Sequence, residues 1–246
     1  MSNLNKEQIR AVNHIYGPCL VLAGPGSGKT HTLVQRIKHM VEDVGIDSKE
    51  ILVITFSKKA ANEMAYRFEN LTKGKPYLVC FGTFHSIFYS IVKKYYKFDK
   101  NSVLRDTDKV MLVKRILKKV DQNDFNESNI QEILDCITAC KSILETGKTK
   151  DQCILEHFEE IEKIKSFEKI YKEYQNTCLR ENRLDFDDML YMCRKLLYER
   201  KEILNEYRKI YKYILVDEFQ DINLVQYDVL KMLAGDDKNV FAVGDI

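Results

Sequence analysis

The stretch Ala23-Gly24-Pro25-Gly26-Ser27-Gly28-Lys29-Thr30 constrains this chain more than any other. It follows the short apolar run Cys19-Leu20-Val21-Leu22-Ala23 and precedes Thr30 to Val41, where apolar residues recur at helical spacing. Strand, glycine-rich loop and helix in this order make a phosphate-binding unit. Glycines let the backbone turn so that N–H groups face phosphate oxygens, Lys29 brings positive charge, and the Thr30 hydroxyl can ligate magnesium. Ala23 stands where the strict pattern has its first glycine, which is a mild departure. A bland glycine turn would account for the loop but not for its flanks.

The same alternation recurs. Ile51 to Phe56 reads as a strand before a helix over Lys58 to Leu71, and Tyr77 to Phe81 as a strand before a helix over Phe84 to Tyr96. Late in the chain, Tyr213 to Val216 is a strand ending on Asp217, Leu224 to Leu233 a helix closed by Gly235, and Asn239 to Val243 a strand ending on Gly244-Asp245. Uninterrupted apolar strands predict an α/β fold with a parallel sheet buried on both faces. Between about Ser102 and Cys178 the strand signal vanishes and the chain reads as an inserted helical subdomain. Charge is segregated there: residues 93–119 carry ten Lys or Arg against three Asp, and 121–162 carry eleven acidic residues against three Lys.

The second chemical signal is Asp217-Glu218 at the end of a strand. Open α/β sheets bind ligands at the carboxyl ends of their strands, so Asp217 can hold magnesium through water while Glu218 orients an attacking water, which points to hydrolysis of ATP. Alone, such a pair is as readily a solvated strand end or a helix cap. Composition excludes other classes. Seven cysteines without paired spacing suit a reducing cytoplasm better than a disulfide framework, and no run approaches the roughly 18 apolar residues of a membrane span. A net charge of +2 neither requires nor forbids a polyanionic partner.

Several further segments stand at ordered spacing: Leu4-Asn5-Lys6-Glu7-Gln8, Thr55-Phe56-Ser57-Lys58-Lys59-Ala60-Ala61-Asn62-Glu63-Met64, Gly82-Thr83-Phe84-His85-Ser86, Leu184-Asp185-Phe186-Asp187-Asp188-Met189-Leu190, Val216 to Asp221, and Val243-Gly244-Asp245. With the loop at 23–30, they resemble the Q motif, motifs Ia and Ib, the Asp-Phe-Asp-Asp segment, motif II and the opening of motif III of the UvrD, Rep and PcrA helicases of superfamily 1. The resemblance spans essentially the whole chain. It implies a RecA-like P-loop NTPase domain over 1–100 and 180–246, with a helical subdomain over 101–179 inserted in it. It also implies ATP and magnesium as cofactors, and single-stranded DNA and duplex junctions as partners, with movement 3′ to 5′.

By that resemblance Gln8 reads the adenine edge, Gln220 couples the γ-phosphate to motion, and Thr55, Phe56, Ser57, Thr83, Phe84 and His85 contact single-stranded DNA. Phe56 offers a stacking face, while the hydroxyls and His85 can donate to phosphates. His31 stands where the family commonly has an arginine over the adenine. Second readings stay open for several residues. Asn5-x-x-Gln8 is also a capping box, Phe56 and Phe84 could be core aromatics, and the basic stretch Lys93, Lys94, Lys97, Lys100 reads better as a solvated face than as a duplex contact. Cys136 and Cys140, four apart, lack further ligands at metal spacing.

Family members complete the ATP site with arginines from a second motor domain, which the resemblance places beyond Ile246. Two functions follow for these 246 residues. They form the nucleotide-binding first half of an ATP-driven DNA helicase, or, by themselves, a nucleotide- and DNA-binding module without turnover. A P-loop kinase is disfavoured by the resemblance of the segments at 55–64 and 82–86 to motifs Ia and Ib and by Asp217-Glu218-Phe219-Gln220-Asp221.

Overall fold

The computed structural model describes residues 4–96, 98, 102–120, 127–145 and 166–245. Helix α1 (Lys6–Asn13) starts in a complete capping box, with Asn5 Oδ1 accepting the Gln8 N–H and Gln8 Oε1 accepting the Asn5 N–H. Strand β1 (Cys19–Leu22) leads through the glycine loop into α2 (Lys29–Lys38), which runs on as a single π turn over His39–Asp43. Then come β2 (Ile51–Thr55), α3 (Lys58–Leu71), β3 (Cys80–Thr83) and α4 (Phe84–Tyr95). Helices α5 (Asp106–Val120), α6 (Glu127–Glu145), α7 (Phe167–Arg180), α8 (Phe186–Glu199) and α9 (Lys201–Ile210) follow. The chain returns to the sheet with β4 (Tyr213–Val216), α10 (Leu224–Ala234) and β5 (Val240–Gly244).

All four strand pairings are parallel, in the order β1-β5-β4-β2-β3. Every carboxyl end therefore lies along one edge. The glycine loop follows β1, Asp245 follows β5, and Asp217 follows β4, whereas Phe56 and Phe84 follow β2 and β3. One face of the sheet packs Val21, Val53, Leu215, Phe241 and Val243 against Leu33, Ile37 and Met40 of α2 and Met64 and Phe68 of α3. Burying these side chains is the main favourable contribution to this unit, on the order of 1.5–3 kcal/mol for each large apolar group.

Two expectations about the strands are corrected. Continuous burial holds for β2, whose five residues are all buried, but not for β1, where Leu20 and Leu22 are more than half exposed. An edge strand has one neighbour, and its second face meets less of the surrounding helices. The third strand lies at Cys80–Thr83 rather than 77–81, because its register pairs Cys80 with Leu52 and Thr83 with Thr55. Tyr77 and Val79 still pack on the core as extended chain outside the strand.

The chain divides into two compact units, Met1–Phe88 with Arg194–Ile246, and Tyr89–Cys193. These divisions fall inside α4 and α8, whereas the sequence reading put them near 100 and 180. Helices continue across both points, so no linker composition marks the change. Among its described residues the second unit consists of helices with one parallel bridge, between Val103 and Leu184. Its core joins Leu112, Ile116, Ile133, Ile137, Ile170 and Tyr174.

Candidate functional site

The loop between β1 and α2 is held open by its own backbone. The Ala23 N–H donates to Gly244 O at 3.1 Å, tying the loop to β5, and the Ser27 N–H donates to Gly24 O at 3.2 Å. Gly28 adopts φ +87°, a left-handed conformation that glycine takes without strain, and it opens α2 with no side-chain cap. The first N–H groups of α2 thus have no capping side chain, and the positive end of the helix dipole faces the loop.

Gln8 uses both ends of its amide. Its oxygen closes the capping box of α1 and its Nε2 donates to Ser27 O at 3.0 Å, so the first helix is pinned to the loop. Gln8 thus closes the capping box and also stands beside the loop. His31 lies exposed on the first turn of α2. Lys29 Nζ donates to Ala23 O at 3.3 Å and forms an ion pair with Asp245.

At the end of β4, Asp217 is buried, and its N–H donates to Ile54 O at 2.9 Å. Its Oδ1 has no hydrogen-bond partner. A buried carboxylate oxygen without a donor is costly unless something charged meets it. Burial first, and the neighbouring Glu218 charge second, push the Asp217 carboxyl up to about 6, with a backbone N–H and Lys29 acting in the opposite sense. Glu218 sits at φ +53°, an unusual conformation for a residue with a side chain, which concentrates strain where the acidic pair turns off the strand. Its Oε2 accepts from Gln220 Nε2 at 2.8 Å. Gln220 Oε1 in turn accepts the Asp245 N–H at 3.0 Å.

The residues after β2 and β3 separate into two groups. Phe56 is 63% exposed, whereas Phe84 is 3% exposed and packs edge-on against Phe88 with ring centroids 5.8 Å apart. Of the two readings left open for aromatics, Phe84 shows core packing and Phe56 an accessible ring. Thr55 is fully buried and its Oγ1 donates to Ser57 O at 3.0 Å, so its hydroxyl is taken up inside the turn. Ser57 caps α3, accepting the Ala60 N–H at 3.1 Å. Thr83 and Ser86 bond each other's backbone N–H groups, and His85 is partly exposed.

Two residues were not singled out in the sequence. Asp245 was seen only as the end of a short segment; its pairing with Lys29 spans 216 residues and depends on β5 lying beside β1. Arg36 is 2% exposed and donates to the carbonyls of Ala11, Val12, His14 and Ile15, with its guanidinium 4.2 Å over the Phe241 ring. It holds the turn after α1, and so Gln8, against the sheet. An arginine in an amphipathic helix carries no sign of this. In the helical unit, Lys141 of α6 pairs with Asp185 and with Asp188, the latter at 2.8 Å, and Tyr174 donates to Asp185 at 3.3 Å. A cavity of about 130 Å³ beside Tyr174 and Asp185 contains none of the loop or acidic-pair residues.

A parallel α/β sheet with a glycine loop leading into a helix after β1, and an acidic pair of buried Asp217 and half-buried Glu218 at the end of β4, with β5 between the two strands, defines a P-loop domain of RecA type. The family model described as the UvrD/REP helicase N-terminal domain matches residues 4–246, and the chain belongs to that family. It is 37% identical to YjcD of Bacillus subtilis, over 98% of this chain and 32% of that protein. It is 32% identical to the ATP-dependent DNA helicase PcrA of Staphylococcus epidermidis, over 100% of this chain and 33% of the relative. For the ATP-dependent DNA helicase Rep of Buchnera aphidicola the figures are 34%, 99% and 37%. The chain therefore spans about a third of the length of these relatives. No helix among the described residues is long and apolar enough to cross a membrane.

Proposed function

We propose that this chain is the ATP-binding first motor domain of an ATP-dependent DNA helicase, with the nucleotide held by the loop at 23–30 and single-stranded DNA passing Phe56. The observation that carries the nucleotide reading is the orphaned Asp217 Oδ1 beside Lys29 and the first turn of α2. The loop supplies backbone donors, the helix end and Lys29 supply positive charge, and the buried Asp217 Oδ1 has no hydrogen-bond donor. Asp217, with the Thr30 hydroxyl, would hold magnesium, which supplies neutralisation of phosphate charge when bound. Glu218 orients the attacking water and accepts its proton, and Gln220, bonded to Glu218, senses the γ-phosphate. Gln8 and His31 flank the adenine.

The strand order supports a division of labour. Residues that would meet nucleotide follow β1, β5 and β4, and those that would meet DNA follow β2 and β3. An exposed ring such as Phe56 stacks on any base and so reads no sequence. The relatives named as helicases are about three times as long as this chain, and the resemblance gives them a second motor domain whose arginines complete the site. We therefore infer that residues 1–246 alone bind nucleotide and DNA with little turnover, and that strand separation, 3′ to 5′ by resemblance, belongs to the longer protein. The test is binding of a fluorescent ATP analogue with magnesium to the 246-residue chain and its Lys29→Ala variant. Equal affinity for the two, in protein shown to be folded, would remove the loop from the nucleotide site.

A further inference from the structure

Lys29 has one anion and one neutral carbonyl within hydrogen-bond reach. Its ammonium carries three N–H donors, of which one goes to Ala23 O and another to the Asp245 carboxylate. The same ammonium is the group that, on the function proposed above, must meet the phosphates. A polyphosphate brought to Lys29 would stand against the Asp245 carboxylate, and like charges at that range repel strongly in a partly desolvated site. Lys29 is 11% exposed at its side chain and Asp245 38%. The lysine is therefore fixed in place, while the aspartate has solvent on one side into which it can turn.

Asp245 is also tied to the hydrolytic residues through its backbone. Its N–H is held by Gln220 Oε1, and Gln220 Nε2 is held by Glu218 Oε2. Gly244 makes this approach feasible, since a Cβ there would lie 2.9 Å from Gln220 Oε1. Lys29, Asp245, Gln220 and Glu218 thus form one continuous series of polar contacts across the ends of β1, β5 and β4.

We propose that Asp245 is a positioning residue that competes with phosphate for Lys29, so that a nucleotide entering the loop displaces the Asp245 side chain and the displacement reaches Gln220 and Glu218 through the Asp245 N–H. The inference rests on the nucleotide reading of the loop but fails separately from it. Asp245→Asn keeps the shape and the backbone N–H and removes the competing charge. An ion pair of this partial exposure contributes modestly, so the variant should bind magnesium–ADP and a fluorescent ATP analogue about fivefold more tightly than the parent. A residue that merely stabilised the loop would give weaker binding on substitution.

A second measurement follows the relay directly. In the parent protein, magnesium–ADP should speed hydrogen exchange at the Asp245 amide as its bond to Gln220 opens. Unchanged or weaker nucleotide affinity in Asp245→Asn, with melting temperature preserved and with Lys29→Ala still losing nucleotide, would overturn the competition while leaving the loop as the nucleotide site. Exchange at the Asp245 amide that slows or stays constant on adding ADP would overturn the relay. Loss of the loop reading itself would show differently, as full binding by Lys29→Ala.

Discussion

At the scale of single residues, the two phenylalanines after β2 and β3 make the sharpest contrast. Phe56→Ala should weaken single-strand binding by about 1–3 kcal/mol per stacked base, with little effect on folding. Phe84→Ala should do the reverse, costing about 3–5 kcal/mol of stability through a core cavity. Paired DNA titrations and urea melts would show it, and loss of DNA affinity only in folded Phe84→Ala would reverse the assignment. Glu218→Gln should retain nucleotide binding and, on the role proposed for Glu218 as the water-orienting base, lower turnover of a complete helicase by about 10²-fold or more; turnover at the parent rate would end that role. The raised Asp217 carboxyl makes a third prediction. Its folded value, up to about 6, lies above the ordinary carboxylate value near ~3.9, so the folded chain binds more protons between these limits. Stability from this group is present below about pH 4 and is lost as pH rises through 6. Asp217→Asn, melted in chelator, should flatten that slope and melt higher at pH 7, by about 2–4 °C for each kcal/mol recovered. An unchanged slope would mean that Asp217 is not the strained group.

At the scale of elements, the helical unit depends on one buried charge cluster. Lys141 on α6 lies between Asp185, which caps α8, and Asp188 in its first turn. Burial opposes the lysine charge, but the two carboxylates more than offset it and raise its pKa; desolvation first, and the neighbouring Asp185 charge, push the half-buried Asp188 up to about 6. Removing the cation leaves buried negative charge unpaired, so Lys141→Ala should destabilise this unit by about 3–5 kcal/mol. Hydrogen exchange at the amides of α6 and α8 along a urea series would reveal it, and a loss under about 1 kcal/mol would contradict the role of the cluster. Helix ends were the elements most legible in sequence. The Asn5–Gln8 capping box forms as its spacing suggests, because capping is settled within four residues; Ser57, read as a DNA contact, and Asn223 with Gln226, not singled out, cap α3 and α10 by the same local geometry. The end of α2 was not legible: its wide π turn over His39–Asp43 brings Met40 and Val41 onto the core, and the residue pattern there is simply helical.

At the scale of the whole molecule, charge stabilisation by arginine from a second domain amounts to about 10³–10⁵ in rate in other P-loop enzymes. A chain extended through such a domain should therefore show hydrolysis stimulated by single-stranded DNA, and residues 1–246 almost none, in assays at matched concentration. Equal rates and equal stimulation would place the complete site within these residues.

The sequence by itself determined what depends on local order: the glycine loop between strand and helix, the acidic pair at the end of an apolar strand, the α/β alternation, and the Asn5–Gln8 capping box. These are properties of spacing along the chain, and spacing is what a sequence states. Tertiary structure alone decided which aromatic is exposed, which strand lies at the edge, and where each unit begins. Phe56 and Phe84 follow similar strands, yet only packing against Phe88 hides the second ring. The strand order β1-β5-β4-β2-β3 likewise brings Asp245 to Lys29 and Gln220 to Asp245, contacts between residues 216 and 25 apart. Their energies depend on through-space distance and on the water excluded around them, which the order of residues along the chain does not specify.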